Sequence, residues 1–506
     1  MKRSNIFSVM ALALGLTLGL ASCVNDDSSE GNQSLPELSI KGSDATTLPI
    51  KNVYLGNECD IKPELSYTGN MEDLKFQWKV GTYVNGVKGE LREVSTEPEL
   101  KYNFTTGGSY YVHLTVTDGK VGQVMEYQVN VNRTFEEGYL LSSVDADGKG
   151  NLSFVKVLTP EEIAAGTKEI VMEHCMTRQN PNISEDGLVK AVSGTETYPA
   201  TVTRIMVSTK ERCYFLEPNN FTVLSSIAYT DLYPGFQASE FIPWGKTPYA
   251  YDKNMKKFAT LDLSYMFPYE YKYLAGLEME DCLVSDYLNT YEMKNQKIFY
   301  MDYTKSQVSM DEPYAVSLKG AAISTVGEFM KGQKLLSAFE TSNGSAVCIL
   351  SENGDKVTLW KNTNAYNYYY LDEKDFKAET LDLSSNTAVP AQGARFVGSF
   401  KYSRMFYPVG NCVYVYLPKN AFALPNKDQY AIKFGESEEI TYMDVNFDTE
   451  ELYVATYDKN TQRGNFYIYD CKDVSTNNSG NVKAKEEHKG CAGRISYLMY
   501  KPSIQQ

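Results

Sequence analysis

Glu451-Leu452-Tyr453-Val454-Ala455-Thr456 and Asn465-Phe466-Tyr467-Ile468-Tyr469-Asp470 are two runs rich in β-branched and aromatic residues, the composition that fits a pleated, half-buried surface. Together they read as an antiparallel pair. The theme recurs upstream with little sequence identity, at 204–208 with 212–216, at 335–339 with 346–350, and as single strands at 297–302 and 412–416. Asp147-Gly148, Asp186-Gly187, Asn343-Gly344 and Asn353-Gly354 punctuate these runs, and such pairs tolerate the positive φ of tight hairpins. Helical periodicity is scarce; one short helix is expected from Pro160. Residues 135–506 therefore read as a large antiparallel array. A single open sheet of that size would leave long unpaired edges, whereas radial repetition of four-stranded blades keeps every edge short. At ~40–50 residues per blade six to eight blades fit, with seven the central expectation of an all-β propeller. The alternative is two or three sandwiches in series. The two differ at 494–500, Arg-Ile-Ser-Tyr-Leu-Met-Tyr, which in a closed ring must lie beside the strand starting at Gly138.

Residues 36–133 read as a separate, smaller β-sandwich. In Gly108-Ser109-Tyr110-Tyr111-Val112-His113-Leu114-Thr115-Val116-Thr117-Asp118-Gly119, Tyr110, Val112, Leu114 and Val116 share one face. Leu74, Phe76, Trp78 and Val80 alternate in the same way, with Asn85-Gly86 as the following turn. About seven strands with a tryptophan on a middle one match an immunoglobulin-like sandwich.

The chain carries 49 basic and 64 acidic residues, 3 histidines, 39 tyrosines and 22 phenylalanines among 506. The acidic balance argues against nucleic acid as a partner, because phosphate binding needs a surplus of lysine and arginine. Lys2 and Arg3, an apolar run from Ile6 to Leu20, and Leu20-Ala21-Ser22-Cys23 have the order of a secretory signal, and the run is shorter than the ~20 residues of a membrane-spanning helix. Removal of residues 1–22 would leave 47 basic against 64 acidic residues, a net −17. Residues 23–35 are too polar to pack and read as a tether.

Leu20-Ala21-Ser22-Cys23 resembles a bacterial lipobox, which implies acylation of Cys23 and an anchor in the outer membrane. The early acidic cluster Asp26-Asp27 with Glu30 resembles the export signal of Bacteroidetes surface lipoproteins, implying a cell-surface location. Gly108-x-Tyr110-x-Val112-x-Leu114-x-Val116-x-Asp118 and the Trp78 strand resemble PKD-like domains, although Trp78 is followed by Lys79-Val80-Gly81 rather than the usual acidic, glycine-rich run. The whole layout resembles the PKD-like family lipoproteins of Bacteroidetes. That resemblance implies an accessory binding protein for an oligomeric nutrient, glycan or peptide, working beside a SusC/SusD-type transporter. A propeller-based hydrolase and a structural or adhesion protein are the alternatives.

Catalytic signatures are sparse. There is no Gly-x-Ser-x-Gly elbow, Walker loop or His-Glu-x-x-His, and no catalytic residue, metal site or cofactor is assigned. Glu173-His174-Cys175 has donor atoms but no second cluster to complete a zinc site, and Asp145-Ala146-Asp147-Gly148-Lys149-Gly150-Asn151 shares part of a calcium-loop spacing while reading better as a hairpin turn. Cys213, Cys348 and Cys412 read as buried strand residues, and Cys471 and Cys491 are a possible disulfide. The candidate ligand contacts are aromatic: Tyr233, Trp244, Tyr269, Tyr368 and Tyr369. Aromatic faces stack on sugars and apolar side chains while their polar tips hydrogen-bond. Trp244, between Pro243 and Gly245, has the strongest claim to exposure.

Overall fold

The computed structural model describes residues 35–503 except 46, 55–56, 85–86, 106, 133–134, 165, 197–201, 243–247, 264, 271–281, 285–288, 293–296, 301–322, 326–331, 342–345, 363–375 and 477–479. The chain divides into two compact units, residues 1–132 and 133–506. No helix among the described residues is long and apolar enough to cross a membrane.

In the first unit, Gly108–Thr117 pairs antiparallel with both Lys75–Val84 and Gly122–Asn132, and Ile50–Tyr54 adds in parallel to the latter. Glu58–Ile61 pairs with Leu100–Asn103, and Leu38–Ile40 with Leu65–Tyr67. The alternation read from sequence is the packing observed. Trp78, Val112, Leu114, Val116 and Val129 are fully buried in one core with Cys59, Ile61 and Leu100. The Trp78 indole donates to the Glu97 carbonyl at 2.8 Å, which satisfies the one polar group that burial would otherwise strand. On the opposite sheet face His113 lies 3.6 Å from Glu126. Burial and the charges of Lys79 and Lys88 hold its pKa below the ordinary value.

The second unit is a propeller-like succession of sheets. Among the described residues, seven four-stranded antiparallel sheets follow one another. Six are built from four strands consecutive in sequence; the first takes Gly138–Val144, Gly150–Lys156 and Val171–Met172 and completes itself with Arg494–Lys501. That register places Leu140 opposite Met499 and Leu141 opposite Leu498, the pairing that a closed ring requires and serial sandwiches do not. Edge strands of six of these sheets meet in turn: Lys334–Thr341 meets Val397–Ser399, then Glu438–Asn446, Arg494–Lys501, Leu188–Glu196 and Glu240–Ile242. These strands therefore gather on the inner side of the array. Between successive sheets lie apolar layers, such as Tyr139, Leu141, Phe466, Ile468 and Leu498 between the last and the first.

The helix expected at Pro160 is present as Pro160–Ala164. Its start is a capping box: Thr159 Oγ1 accepts from Glu162 N, and Glu162 Oε2 accepts from Thr159 N, with proline at the first position where no amide donor is needed. The suggested Cys471–Cys491 disulfide is absent. Both are free and buried, and burial pushes both thiols up, that of Cys491 to about 12.

Polar links reinforce the seam between the last sheet and the first. Arg463 donates to Glu173 at 2.5 Å and His488 Nδ1 lies 2.6 Å from Glu169, while within the first sheet Tyr500 Oη donates to Glu137 at 2.5 Å. Gly493 sits so close to Val144 that a Cβ would run into its carbonyl. We expect Gly493→Ala to destabilise the second unit by about 1–3 kcal/mol, read as a lowered denaturation midpoint. His488 gives a pH-dependent expectation. Burial opposes its charge, but hydrogen bonds to Glu486 and Glu169 outweigh burial and raise its pKa. Its stabilisation is thus full below pH ~6.5 and fades as pH rises through the raised folded value. The melting-temperature gap between the native protein and His488→Gln should be wide near pH 6 and narrow by pH 9.

Candidate functional site

Two clusters in the second unit bring chemistry-bearing side chains together. The first lies on the inner strands. Lys190 Nζ stands 5.1 Å from the centre of the Tyr497 ring, Tyr497 meets Tyr442 edge-on at 5.3 Å, and the Arg395 guanidinium stands 5.3 Å from the Tyr442 ring. Asp444 accepts the Tyr442 hydroxyl at 2.9 Å and lies 3.7 Å from Arg395. At the other end burial raises the Glu240 carboxyl, while Lys190 and Lys253 act to lower it. These side chains come from five consecutive sheets or the segments leading into them. The carboxylates stand near cations and Tyr442 is buried, so the arrangement is a cation–π clasp between blades.

None of these residues was singled out from sequence as a candidate site. Lys190 did carry a signal, a lone charge inside Leu188-Val189-Lys190-Ala191-Val192. The others look like ordinary strand residues until the sheets are set side by side.

The second cluster contains the aromatic residues expected to bind ligand that the structure describes. Asp262 shapes a turn, accepting Tyr265 N on its side chain at 2.9 Å and Met266 N on its carbonyl at 2.8 Å. The chain then enters Phe267–Tyr269, the last strand of its sheet. Met266, with a left-handed backbone in that turn, packs on the core shared by the second and third sheets. Tyr265 is 79% and Phe267 45% exposed, and Tyr269 is half-buried. The ring centres of Tyr265 and Phe267 are 6.4 Å apart, and those of Phe267 and Tyr269 6.1 Å. The result is a ladder of three rings, Tyr265 in the turn and Phe267 and Tyr269 on the strand that follows.

Tyr233 is half-buried, stacked on Phe236 at 6.1 Å with Lys257 4.3 Å above its ring. Burial and the charge of nearby Glu270 raise its pKa, yet among the described residues its hydroxyl makes no hydrogen bond of normal geometry. Tyr233 and Tyr269 therefore share a neighbourhood through Glu270, the residue after Tyr269. Trp244, Tyr368 and Tyr369 lie outside the described residues, as does Cys23. Trp360, from the third aromatic stretch, is half-buried and donates to Ser351 at 2.9 Å.

The Asp145 and Glu173-His174 stretches, distant in sequence, meet in space. His174 Nε2 lies 3.3 Å from Asp145 and Nδ1 3.5 Å from Glu185, and the Asn151 amide bridges Asp145 and Glu173 at 2.9 Å each. His174 adopts a left-handed backbone at the start of Cys175–Gln179. Among the described residues no group of three or more His, Cys, Asp or Glu is arranged to hold a metal ion. Asp145 to Lys149 is the hairpin turn between the paired strands Gly138–Val144 and Gly150–Lys156.

No family model matches the sequence, and no curated protein matches it. Among solved structures, the chain is similar to a quinonprotein alcohol dehydrogenase-like protein of Bacteroides thetaiotaomicron, at 15% identity and a TM-score of 0.46, over 92% of this chain and 99% of that one. It is also similar to a candidate 6-phosphogluconolactonase of Bacteroides fragilis, at 11% identity and TM-score 0.38, over 86% and 99%. A third likeness is to the β-propeller domain of Cps50 from Myceliophteria thermophila, at 7% identity and TM-score 0.34, over 57% and 83%.

Asp444→Ala removes the acceptor of the buried Tyr442 hydroxyl and the carboxylate facing Arg395. A loss of about 1–3 kcal/mol is expected, measured by chemical denaturation, with partial recovery in Asp444→Asn.

Proposed function

We propose that this chain is a lipid-anchored surface protein that captures an oligomeric nutrient without chemically altering it. In this reading Cys23 carries the acyl chains, residues 36–133 form an immunoglobulin-like, PKD-like spacer, and the second unit is a seven-bladed propeller presenting the ligand contacts. Each buried methylene of an acyl chain contributes ~0.8 kcal/mol, so two or three chains hold a protein on a membrane stably. The observation that carries the reading is the aromatic ladder Tyr265, Phe267 and Tyr269. A strand edge that spends exposed aromatic area in an ordered row, on a rigid sheet, is built to meet a repeating partner rather than to fill a core. A glycan or peptide oligomer fits, handed on to a SusC/SusD-type uptake complex.

Two measurements test it. Cys23→Ala should abolish retention in the outer-membrane fraction; continued co-fractionation would refute the lipid anchor. Affinity capture from cells grown on complex nutrients should bring down a glycan, a peptide or a transporter. Recovery of none of them, or release of cleaved products from a supplied oligomer, would overturn the capture role.

A further inference from the structure

The aromatic ladder also discriminates between ligand classes, an inference that rests on the capture reading. Phe267–Tyr269 ends its sheet, so an extended peptide would be expected to add to it as a fifth strand. The register decides whether it can. Phe267 lies opposite Asp262, Pro268 opposite Leu261 and Tyr269 opposite Thr260. Leu261 donates its amide at 3.0 Å to the Pro248 carbonyl, on the far side of its own strand. Backbone groups alternate in direction along an antiparallel strand, so Leu261 faces away from Pro268. Pro268 in turn directs its backbone outward, and Phe267 and Tyr269 direct theirs inward to Asp262 and Thr260. The outward position is thus held by a residue with no N–H. The Met266 amide, just before the strand, is turned inward and donates to the Asp262 carbonyl at 2.8 Å. Within Phe267–Tyr269 the edge offers an incoming strand the Pro268 carbonyl and no N–H donor.

What remains for recognition is ring surface with a balanced polar rim. Lys257 and Glu270 are both exposed beside the ladder. The rings are inclined by 40° and 60° from one to the next, so each offers its own face for stacking on a sugar ring. The chain's net charge of −15 disfavours a polyanion. We infer that the ladder binds a neutral oligosaccharide by stacking, and that Pro268 closes this edge to peptide strands.

The test uses full-length protein purified in detergent. It is run through native gels containing a soluble glucan, mannan or xylan in separate lanes, and titrated in parallel with a strand-forming peptide and a proline-rich peptide. At least one polysaccharide should retard the protein. Tyr265→Ala and Phe267→Ala should each weaken retardation by about tenfold with the melting temperature unchanged, since both rings are exposed. Pro268→Ala, which restores an outward N–H and leaves the rings in place, should keep retardation intact. Either peptide bound at the expense of Phe267, with no polysaccharide retarded, overturns the ligand class and leaves capture standing. Retardation that survives both ring substitutions overturns the ladder as the site. No binding to any probe removes the ligand class and the capture reading together.

Discussion

The second unit depends on one constraint, the need of every strand edge for a hydrogen-bonding partner or a short, guarded end. Twisted four-stranded sheets set in succession meet that need locally, and a seam must then join the last sheet to the first. Arg494–Lys501 supplies the seam by pairing with Gly138–Val144. Around it the same physics is applied several times. Apolar residues of both sheets interdigitate, glycine at 493 lets backbones approach, and Arg463, Tyr500 and His488 each find a carboxylate on the first sheet or beside it. Polar contacts of this kind, half sheltered from water, fix register more than they add net stability.

The inner clasp and the outer ladder use aromatic residues in opposite ways. Tyr442 and Tyr497 lie between two cations and hold neighbouring sheets together at a place where purely apolar side chains would leave charges unmatched. Tyr265 and Phe267 turn away from the core that Met266 joins. Alternation along a strand is what separates these roles, because neighbouring positions face opposite sides.

Much of the architecture was legible in the sequence. Period-two patterning at 110–116 and 74–80 identified the buried face of the first unit, and the stretch from Pro160 marked a short helix of the second. The pairing of 494–500 with the strand at Gly138 was the mark set to separate a closed ring from serial sandwiches, and it is present. The clasp was not legible, since Lys190 acquires meaning only beside Tyr497, far along the chain, and Arg395 and Asp444 only once two successive sheets are set side by side. Composition also could not separate the ladder from core aromatics: Tyr229 and Phe236 are fully buried, whereas Tyr265, in equally aromatic surroundings, is open to solvent. That distinction rests on the Asp262 turn, which sets which side of the strand odd-numbered residues face. The suggested bond between Cys471 and Cys491 failed because strand geometry buries each thiol in its own apolar surroundings.

The seam also governs how the second unit acquires its structure. The Gly493 amide reaches the Ser143 hydroxyl across 350 positions of chain, while most other pairings join neighbours in sequence. Hairpins can therefore assemble quickly and independently, but the final closure carries the entropy of a very long loop. Late, slow annealing exposes the edges of the first and last sheets in the meantime. During that interval two molecules can exchange their terminal strands, so interlocked dimers are the characteristic misassembly this topology invites at high concentration.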